Sequence, residues 1–334
     1  VAIRFVRIGR LVYTSNRSGN YNIYTSDYDG SNEKMISDNR GNNFNPVQAF
    51  DGKSVFFLST RDNYVGAYGE LIPVAYRVNM DGTGLIKITE NKYEDYGSIG
   101  YYNFIAGKRA YTKYSHEGPI SQQDLYFGNI SGSQTNKIFS LTDDEGYIGN
   151  MMISPNGQSI VAIYNDYSGP SPVSRIVHIN PTNGVKRDLY IVPPYFYPTL
   201  LGFSNDSNSI LALASAEGDL NLNVFKISIN VNNVTKITNN SNVELNAFFT
   251  PDGKKVLYYD NRDAKVNIFS RESNGSNEVQ LTEVGKVDAV TQITNNLVAY
   301  VEQNQLMIVD MNFPKVAQKV TSNVSIYKGA QWND

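Results

Sequence analysis

The chain has 334 residues, 41% of them hydrophobic and 18% charged, which allows a sizeable core and excludes a disordered protein. Its net charge of −3 argues against nucleic-acid binding, which needs a strongly basic face. The absence of cysteine excludes disulfides, thiolate catalysis and cysteine-ligated metals, and no apolar run approaches the roughly 18 residues of a membrane span.

A short motif recurs along the chain: an apolar residue followed by Thr, or by Ser or Tyr in its place. The second residue of the motif lies at positions 37, 89, 142, 190, 238, 282 and 321. Recurrence at intervals of about 40 to 50 residues indicates one supersecondary unit repeated along the chain. No stretch shows a comparable helical periodicity.

Each repeated unit is predicted to be a sheet of four antiparallel strands, which is one blade of a β-propeller. The unit at 244–282 shows this most plainly, with strands at 245–249, 255–259, 266–269 and 279–282. The predicted fold is therefore an all-β, seven-bladed propeller that occupies residues 1–334 as a single domain. In chain order the predicted blades are 9–39 completed by 324–334, then 45–89, 98–142, 148–190, 197–238, 244–282 and 287–321.

The first and last units are expected to complete each other. Residues 9–13 resemble a second strand without an inner strand before it, and 327–334 resemble an inner strand, with Trp332 where other units have Phe203 or Phe249. We expect the C-terminal strand to complete the N-terminal blade, because this closure removes the last exposed sheet edge. The alternative is that residues 3–6 form the inner strand and 324–334 lie outside the first blade.

The segment Thr-Pro-Asp-Gly-Lys-Lys-Val-Leu-Tyr-Tyr-Asp-Asn-Arg-Asp at 250–263, followed by Asn267-Ile268-Phe269 and Leu281-Thr282, resembles the WD-like repeat of TolB-type propellers. Residues 15–24 and 51–62 match the same pattern, so the resemblance covers nearly the whole chain. It implies a bacterial protein that is periplasmic, at the cell surface or secreted, and that serves as an interaction scaffold. The same repeat also builds the propeller domains of prolyl-oligopeptidase-type and tricorn-type peptidases.

The chain departs from both groups of relatives. TolB has an α/β domain before a six-bladed propeller, whereas this sequence shows no such domain and seven units. The peptidases add a hydrolase domain, but the sequence has no Gly-x-Ser-x-Gly motif and no segment left to hold that domain. A propeller alone is expected.

Motifs for cofactors are sparse. No phosphate-binding glycine loop is present. His178 lies in a predicted strand and His116 in a loop, and these two are too few for the His-rich metal site of propeller lyases that act on pectin fragments. We expect no cofactor; a calcium ion at the oxygen-rich segment 26–33 is the alternative, although Asp29-Gly30 is also what a hairpin turn requires.

Extra residues are concentrated on three consecutive units. Their connections between second and third strands are predicted to be long, at 61–73, 115–123 and 165–174, and the adjoining connections between units are rich in Tyr. Both kinds of connection lie on one face of a propeller, so a recognition surface is expected there. We call it the loop surface, and its predicted ligand-binding residues are Tyr64, Tyr68, Glu70, Tyr93, Tyr96, Tyr114, His116, Glu117, Asp166, Tyr167, Tyr195 and Tyr197. The alternative is that these tyrosines only pack the loops onto the propeller.

The sequence favours a non-catalytic protein, expected to be a monomer, that binds a protein or a glycan through the loop surface. A second hypothesis is a glycan lyase or hydrolase that uses two loop carboxylates as acid and base. The candidates for that chemistry are Glu70, Glu94, Asp95, Glu117 and Asp166. A third hypothesis is a regulatory propeller that serves a separate peptidase chain.

Overall fold

The computed structural model consists almost entirely of β-strands. It describes residues 10–48, 53–65, 69, 71–88, 100–103, 106–115, 121–129, 134–194, 196–219, 221–231, 233–239, 244–292 and 294–322. Within those ranges the helical element is one short 3-10 turn, Arg262–Ala264. None of the helical segments in the described ranges is long and apolar enough to cross a membrane.

The strands form seven sheets, and within each sheet successive strands pair antiparallel in chain order. The first three sheets are β1 (Arg10–Ser15), β2 (Asn22–Asp27) and β3 (Lys34–Met35); β4 (Asn43–Gln48), β5 (Ser54–Val65), β6 (Leu71–Asn79) and β7 (Ile86–Lys87); and β8 (Gly100–Asn103), β9 (Lys108–Ser115), β10 (Gln122–Asn129) and β11 (Asn136–Thr142). The fourth and fifth are β12 (Gly146–Ile153), β13 (Ile160–Asp166), β14 (Val173–Ile179) and β15 (Lys186–Ile191); and β16 (Thr199–Phe203), β17 (Ser209–Ala214), β18 (Asn223–Ser228) and β19 (Val234–Lys236). The last two are β20 (Glu244–Phe249), β21 (Lys255–Asp260), β22 (Asn267–Glu272) and β23 (Val279–Gln280); and β24 (Ala289–Gln292), β25 (Leu297–Glu302), β26 (Gln305–Asp310) and β27 (Ala317–Ser322).

This architecture confirms the predicted fold class, an all-β propeller of seven blades. The first, second and seventh sheets belong to one compact unit, and the third to sixth sheets belong to a second. The segments 324–334 and 3–6, one of which was expected to supply the inner strand of the first blade, lie outside the described residues. The closure of that blade and the single-domain boundaries therefore stay predictions.

Hydrophobic clusters fill the spaces between neighbouring sheets within each unit. One cluster joins the fourth and fifth sheets through residues such as Val161, Ile176, Ile210 and Phe225. Similar clusters lie between the third and fourth, fifth and sixth, seventh and first, and first and second sheets. A blade with a neighbour on each side buries both faces, so its middle strands are almost continuously apolar.

The Ser or Thr that ends the repeated motif has the same structural role in the first, fifth and sixth sheets. In the sixth sheet the Thr282 hydroxyl accepts a hydrogen bond from the backbone N–H of Ile268 at 3.0 Å and donates one to Oδ1 of Asn267 at 3.1 Å. Ser37 and Thr238 make the same pair of bonds in the first and fifth sheets. The apolar residue before each of these hydroxyls is buried. The end of the outer strand is thereby fixed to the start of the third strand.

Candidate functional site

Two of the three connections predicted to be long are shorter than the sequence indicated, because the strands continue into them; the third, 115–123, lies between the end of β9 at Ser115 and the start of β10 at Gln122. The stretch 61–73 was expected to be a long loop, but β5 and β6 extend through it as a hairpin in which Tyr64 pairs with Ile72. In the same way β13 runs to Asp166, which pairs with Val173 of β14. Tyr and Val favour strands, and each added pair satisfies backbone hydrogen bonds that a loop would leave to water.

Tyr64 lies half-buried near the tip of the hairpin in the second sheet. Its ring packs against the hydrophobic cluster between the first and second sheets. Its hydroxyl accepts a hydrogen bond from Nζ of Lys87 at 2.9 Å, and the same ammonium pairs with the Asp62 carboxylate at 2.8 Å. These contacts are those expected of a tyrosine that packs its own hairpin, and its part in ligand binding stays a prediction.

Asp166 is held by neighbours on its own blade. One carboxylate oxygen accepts hydrogen bonds from the backbone N–H and the hydroxyl of Ser168 at 3.0 and 2.6 Å, and the other accepts one from Nε of Arg175 at 3.0 Å. The hydrogen bonds from Ser168, aided by the Arg175 charge, lower the pKa of Asp166 below its ordinary value. A carboxylate that stays ionised in this way is poorly suited to act as a general acid near neutral pH.

The fourth blade presents two exposed tyrosines side by side. Tyr147 of β12 pairs in register with Asn165 of β13, and the Tyr167 N–H donates to the carbonyl of Glu145 at 3.3 Å, so both residues are brought to one end of the sheet. The two rings are 5.8 Å apart in an edge-to-face arrangement. They are 38% and 44% exposed, and Tyr197, which lies just before the fifth blade, is 76% exposed. Exposed rings of this kind offer apolar area together with a hydroxyl.

Most other predicted site residues lie outside the part of the chain that the structure describes. Those outside the described residues are Tyr68, Glu70, Tyr93, Tyr96, His116, Glu117 and Tyr195. The backbone of Tyr114 belongs to β9 and pairs with Gln123. The structure therefore brings Asp166 and Tyr167 together on one blade, and Tyr147, which the sequence placed in a connection between units, joins them.

Three arginines at one equivalent position of three blades make the same set of contacts. The three are Arg17, Arg61 and Arg262. In each, Nε donates a hydrogen bond to a side-chain oxygen of the residue two positions earlier. The guanidinium lies over an aromatic ring of the third strand of the blade, and one of its terminal nitrogens pairs with a carboxylate. In chain order the oxygens belong to Ser15, Ser59 and Asp260, the rings to Tyr24, Tyr76 and Phe269, and the carboxylates to Glu33, Asp38 and Glu278. These side chains stabilise their blades.

Residues considered as metal ligands have ordinary structural partners where they are described. Nε2 of His178 lies 3.0 Å from the Ser159 hydroxyl, and burial lowers the pKa of this histidine. The segment 26–33 forms the turn between β2 and β3, in which Oδ1 of Asp29 accepts hydrogen bonds from the N–H and the hydroxyl of Ser31. Within the described part of the chain no three His, Asp or Glu side chains gather closely enough to hold a metal ion.

No protein-family model and no curated protein sequence matches the chain, but solved structures do. TolB from Acinetobacter baumannii matches with a TM-score of 0.51 at 19% identity, over 80% of this chain and 62% of that one. The chain has a TolB-like propeller fold. An oligogalacturonate lyase in complex with manganese matches with a TM-score of 0.66 at 11% identity, over 90% of this chain and 85% of that one. A prolyl endopeptidase matches with a TM-score of 0.62 at 13% identity, over 96% of this chain and 49% of that one.

The TolB-like propeller is shared by proteins with different activities, and identities this low show the fold alone. The chain spans 62% of the TolB chain and 49% of the prolyl endopeptidase. Its activity must therefore be argued from its own surface.

Proposed function

We propose that this TolB-like propeller is a non-catalytic, extracytoplasmic binding protein that recognises a protein or a glycan through its loop surface. The observation that carries the proposal is the exposed aromatic group on consecutive blades, Tyr147 with Tyr167 and then Tyr197. Tyrosines bury much area at low entropic cost and are enriched at protein interfaces, and their rings stack on the apolar faces of sugars. The extracytoplasmic location follows from the resemblance to TolB-type repeats.

The alternative is a glycan-processing enzyme. Asp166, the one candidate catalytic carboxylate that the structure describes, argues against it. Asp166 has its oxygens engaged by Ser168 and Arg175 and its pKa lowered. A glycosidase needs one carboxyl group that is protonated when substrate binds. Neither the wild type nor an Asp166→Asn variant is expected to release new reducing ends from a glycan. If the wild type cleaves a glycan and the Asp166→Asn variant does not, the enzyme hypothesis is favoured.

Binding itself is tested with a glycan array and a pull-down from an extracytoplasmic protein extract, each run with the wild type and with the triple variant Tyr147→Ser, Tyr167→Ser, Tyr197→Ser. We expect the wild type to retain a defined set of ligands and the triple variant to lose them. The matched control is Phe313→Ser, which removes an aromatic ring that is 66% exposed on the turn between β26 and β27.

Two outcomes contradict the proposal: a wild type that captures no glycan and no protein, and a triple variant that retains every ligand of the wild type. Because the proposal includes no cofactor, binding is expected to be the same in calcium and in a chelator. A loss of binding in the chelator would instead favour a calcium ion.

A further inference from the structure

A polar groove lies between the third and fourth sheets, at the opposite end of the strands from the loop surface. β10 runs from the loop surface at Gln122 to the groove at Asn129. One wall is formed by residues of β10 and β11, the other is the turn at Pro181, Thr182 and Asn183 between β14 and β15, and the volume of the groove is about 660 Å³. Pockets for small ligands commonly enclose about 300 to 1,000 Å³.

The two blades approach each other closely beside the groove. Gly184, with a φ of +70°, follows the turn, and a Cβ at this position would lie 2.8 Å from the carbonyl oxygen of Ile138 in β11. The turn is fixed by a hydrogen bond from the Thr182 N–H to Oδ1 of Asn180 at 2.8 Å and one from the Val185 N–H to Oδ1 of Asn183 at 3.1 Å. The two walls are therefore set in place before any ligand arrives.

A chain of hydrogen bonds runs along the wall that belongs to the third blade. Nζ of Lys108 donates to Oδ1 of Asn129 at 2.8 Å, and Nδ2 of Asn129 donates to Oε1 of Gln134 at 3.0 Å. The ammonium also lies 5.9 Å from the ring centre of Phe127, which packs on the cluster between the two blades. The charged end of Lys108 is thus oriented at the groove rather than free to rotate.

The lining has two cationic side chains, one of which is paired with a carboxylate. Lys108 and Lys137 both face the groove, and no Asp or Glu is among its described lining residues. The Lys137 ammonium forms an ion pair with Asp124, 3.5 Å from both carboxylate oxygens, so Lys108 is the lining cation that has no acidic partner among the described residues. That carboxylate is held more closely by the Ser140 hydroxyl at 2.6 Å and by Nε2 of Gln122 at 2.7 Å.

We propose that this groove binds an anionic, polyhydroxylated small molecule, that is, a sugar acid or a sugar phosphate. The Lys108 ammonium pairs with the acidic group. The amides of Asn129, Gln134 and Asn136 both donate and accept, which is what recognition of neighbouring hydroxyls requires. The site shares no described residue with the tyrosines of the loop surface, so it is independent of the function proposed for that surface.

The test is isothermal titration of the full chain at low ionic strength with four probes: glucuronate, glucose 6-phosphate, glucose and inorganic phosphate. We expect saturable binding of at least one of the two acidic sugars, about tenfold or more tighter than glucose and than phosphate alone. The order of glucuronate and glucose 6-phosphate then identifies the acidic group as carboxylate or phosphate.

The variants locate the site. Lys108→Gln removes one charge and is expected to weaken the acidic sugar by about tenfold. Lys255→Gln is the matched control, because Lys255 begins β21 as Lys108 begins β9 but lies outside the groove, and it is expected to change nothing. Gln134→Ala alters an exposed lining residue and is expected to weaken the sugar phosphate or sugar acid without changing the melting temperature.

The proposal is overturned if neither acidic sugar binds up to millimolar concentration. It is equally overturned if glucose binds as tightly as the acidic sugars, if phosphate alone accounts for the binding, or if Lys108→Gln has no greater effect than Lys255→Gln. The triple tyrosine variant of the loop surface is expected to bind the acidic sugar like the wild type, so failure of one site is distinguishable from failure of the other.

Discussion

A tyrosine recurs at one position of the second strand in three blades, with different consequences. Tyr13, Tyr258 and Tyr300 are each the fourth residue of β1, β21 and β25. The hydroxyls of Tyr13 and Tyr258 bond to the carboxylates of Glu33 and Glu278. Tyr300 is 1% exposed, and its hydroxyl has no hydrogen-bond partner among the described residues. An unpaired buried hydroxyl is destabilising, whereas a paired one is not.

Removing these hydroxyls is therefore expected to have opposite effects. Tyr300→Phe should raise the free energy of unfolding by about 1 kcal/mol, because it removes an unsatisfied polar group. Tyr258→Phe should lower it by about 1 to 3 kcal/mol, because it breaks a hydrogen bond to a charged group. Denaturant unfolding of the two variants beside the wild type measures both. Equal losses at the two positions would show that Tyr300 has a partner after all.

Glu278 gives the blade a pH-dependent contribution. Its carboxylate accepts hydrogen bonds from Arg262, Tyr258 and Arg271, and those from Arg262 above all lower its pKa to about 2. Because the pKa in the folded state is depressed, the stability contributed by the ionised carboxylate is complete above its ordinary pKa and is lost as the pH falls toward the depressed value.

The free energy of unfolding of Glu278→Gln is accordingly expected to be about 1 to 2 kcal/mol below that of the wild type near neutral pH, because solvent screening at this exposed residue reduces the effect of the pKa shift. This difference should shrink steadily as the pH is lowered from about 5 to about 3. Urea unfolding across that range tests it, with Glu217→Gln on an exposed turn as the control. A difference that stays constant across that range would contradict the assignment.

At the scale of elements, two glycines with the same backbone conformation differ in what surrounds them. Gly30 lies in the turn between β2 and β3 and Gly218 between β17 and β18, each with a φ of +83°. A Cβ on Gly30 would overlap the carbonyl oxygen of Val320 in β27, whereas no described atom lies within 4 Å of one on Gly218. The turn of the first blade thus packs directly on the outer strand of the seventh.

Alanine at the two glycines separates backbone strain from packing. Gly218→Ala should cost about 1 to 2 kcal/mol, which is the strain of a left-handed conformation alone. Gly30→Ala should cost at least about 1 kcal/mol more, because the turn must also move away from β27. Thermal unfolding compares them. If the two variants melt at the same temperature, the close approach to Val320 is not part of the folded protein.

The blades could be predicted from the sequence because their marker residues act locally. The Thr282 hydroxyl bonds to a backbone only fourteen residues earlier, so the spacing of such residues carries the repeat. The limits of β5 and β6 could not be predicted in this way, since a polar stretch such as Arg61-Asp62-Asn63 is compatible with a loop or a hairpin. The carboxylates of the arginine clusters could not be predicted either, since partners such as Arg262 and Glu278 are sixteen residues apart and follow no motif.

At the scale of the whole molecule, binding surfaces are harder to predict than blades because they combine residues that are distant in sequence. The groove joins Lys108 and Gln134 of one blade to Asn183 of the next, and no motif links these positions. The loop surface was inferred from unusual loop length and tyrosine content, which does not distinguish a packed ring from an exposed one. Tyr64 is packed and Tyr197 is exposed, although the same sequence criteria predicted both of them to bind a ligand.

The closure of the first blade can be tested by deleting either chain end. Within the described residues β1 is the edge of its sheet, and its alternate residues Leu11, Tyr13 and Ser15 are buried. If 324–334 supply the missing inner strand, deleting them should cost about 3 to 5 kcal/mol and speed amide exchange in β1, because a row of backbone hydrogen bonds is lost. Deleting 1–8 should then have little effect. The reverse result would assign the inner strand to residues 3–6, because only the segment that pairs with β1 can protect its amides.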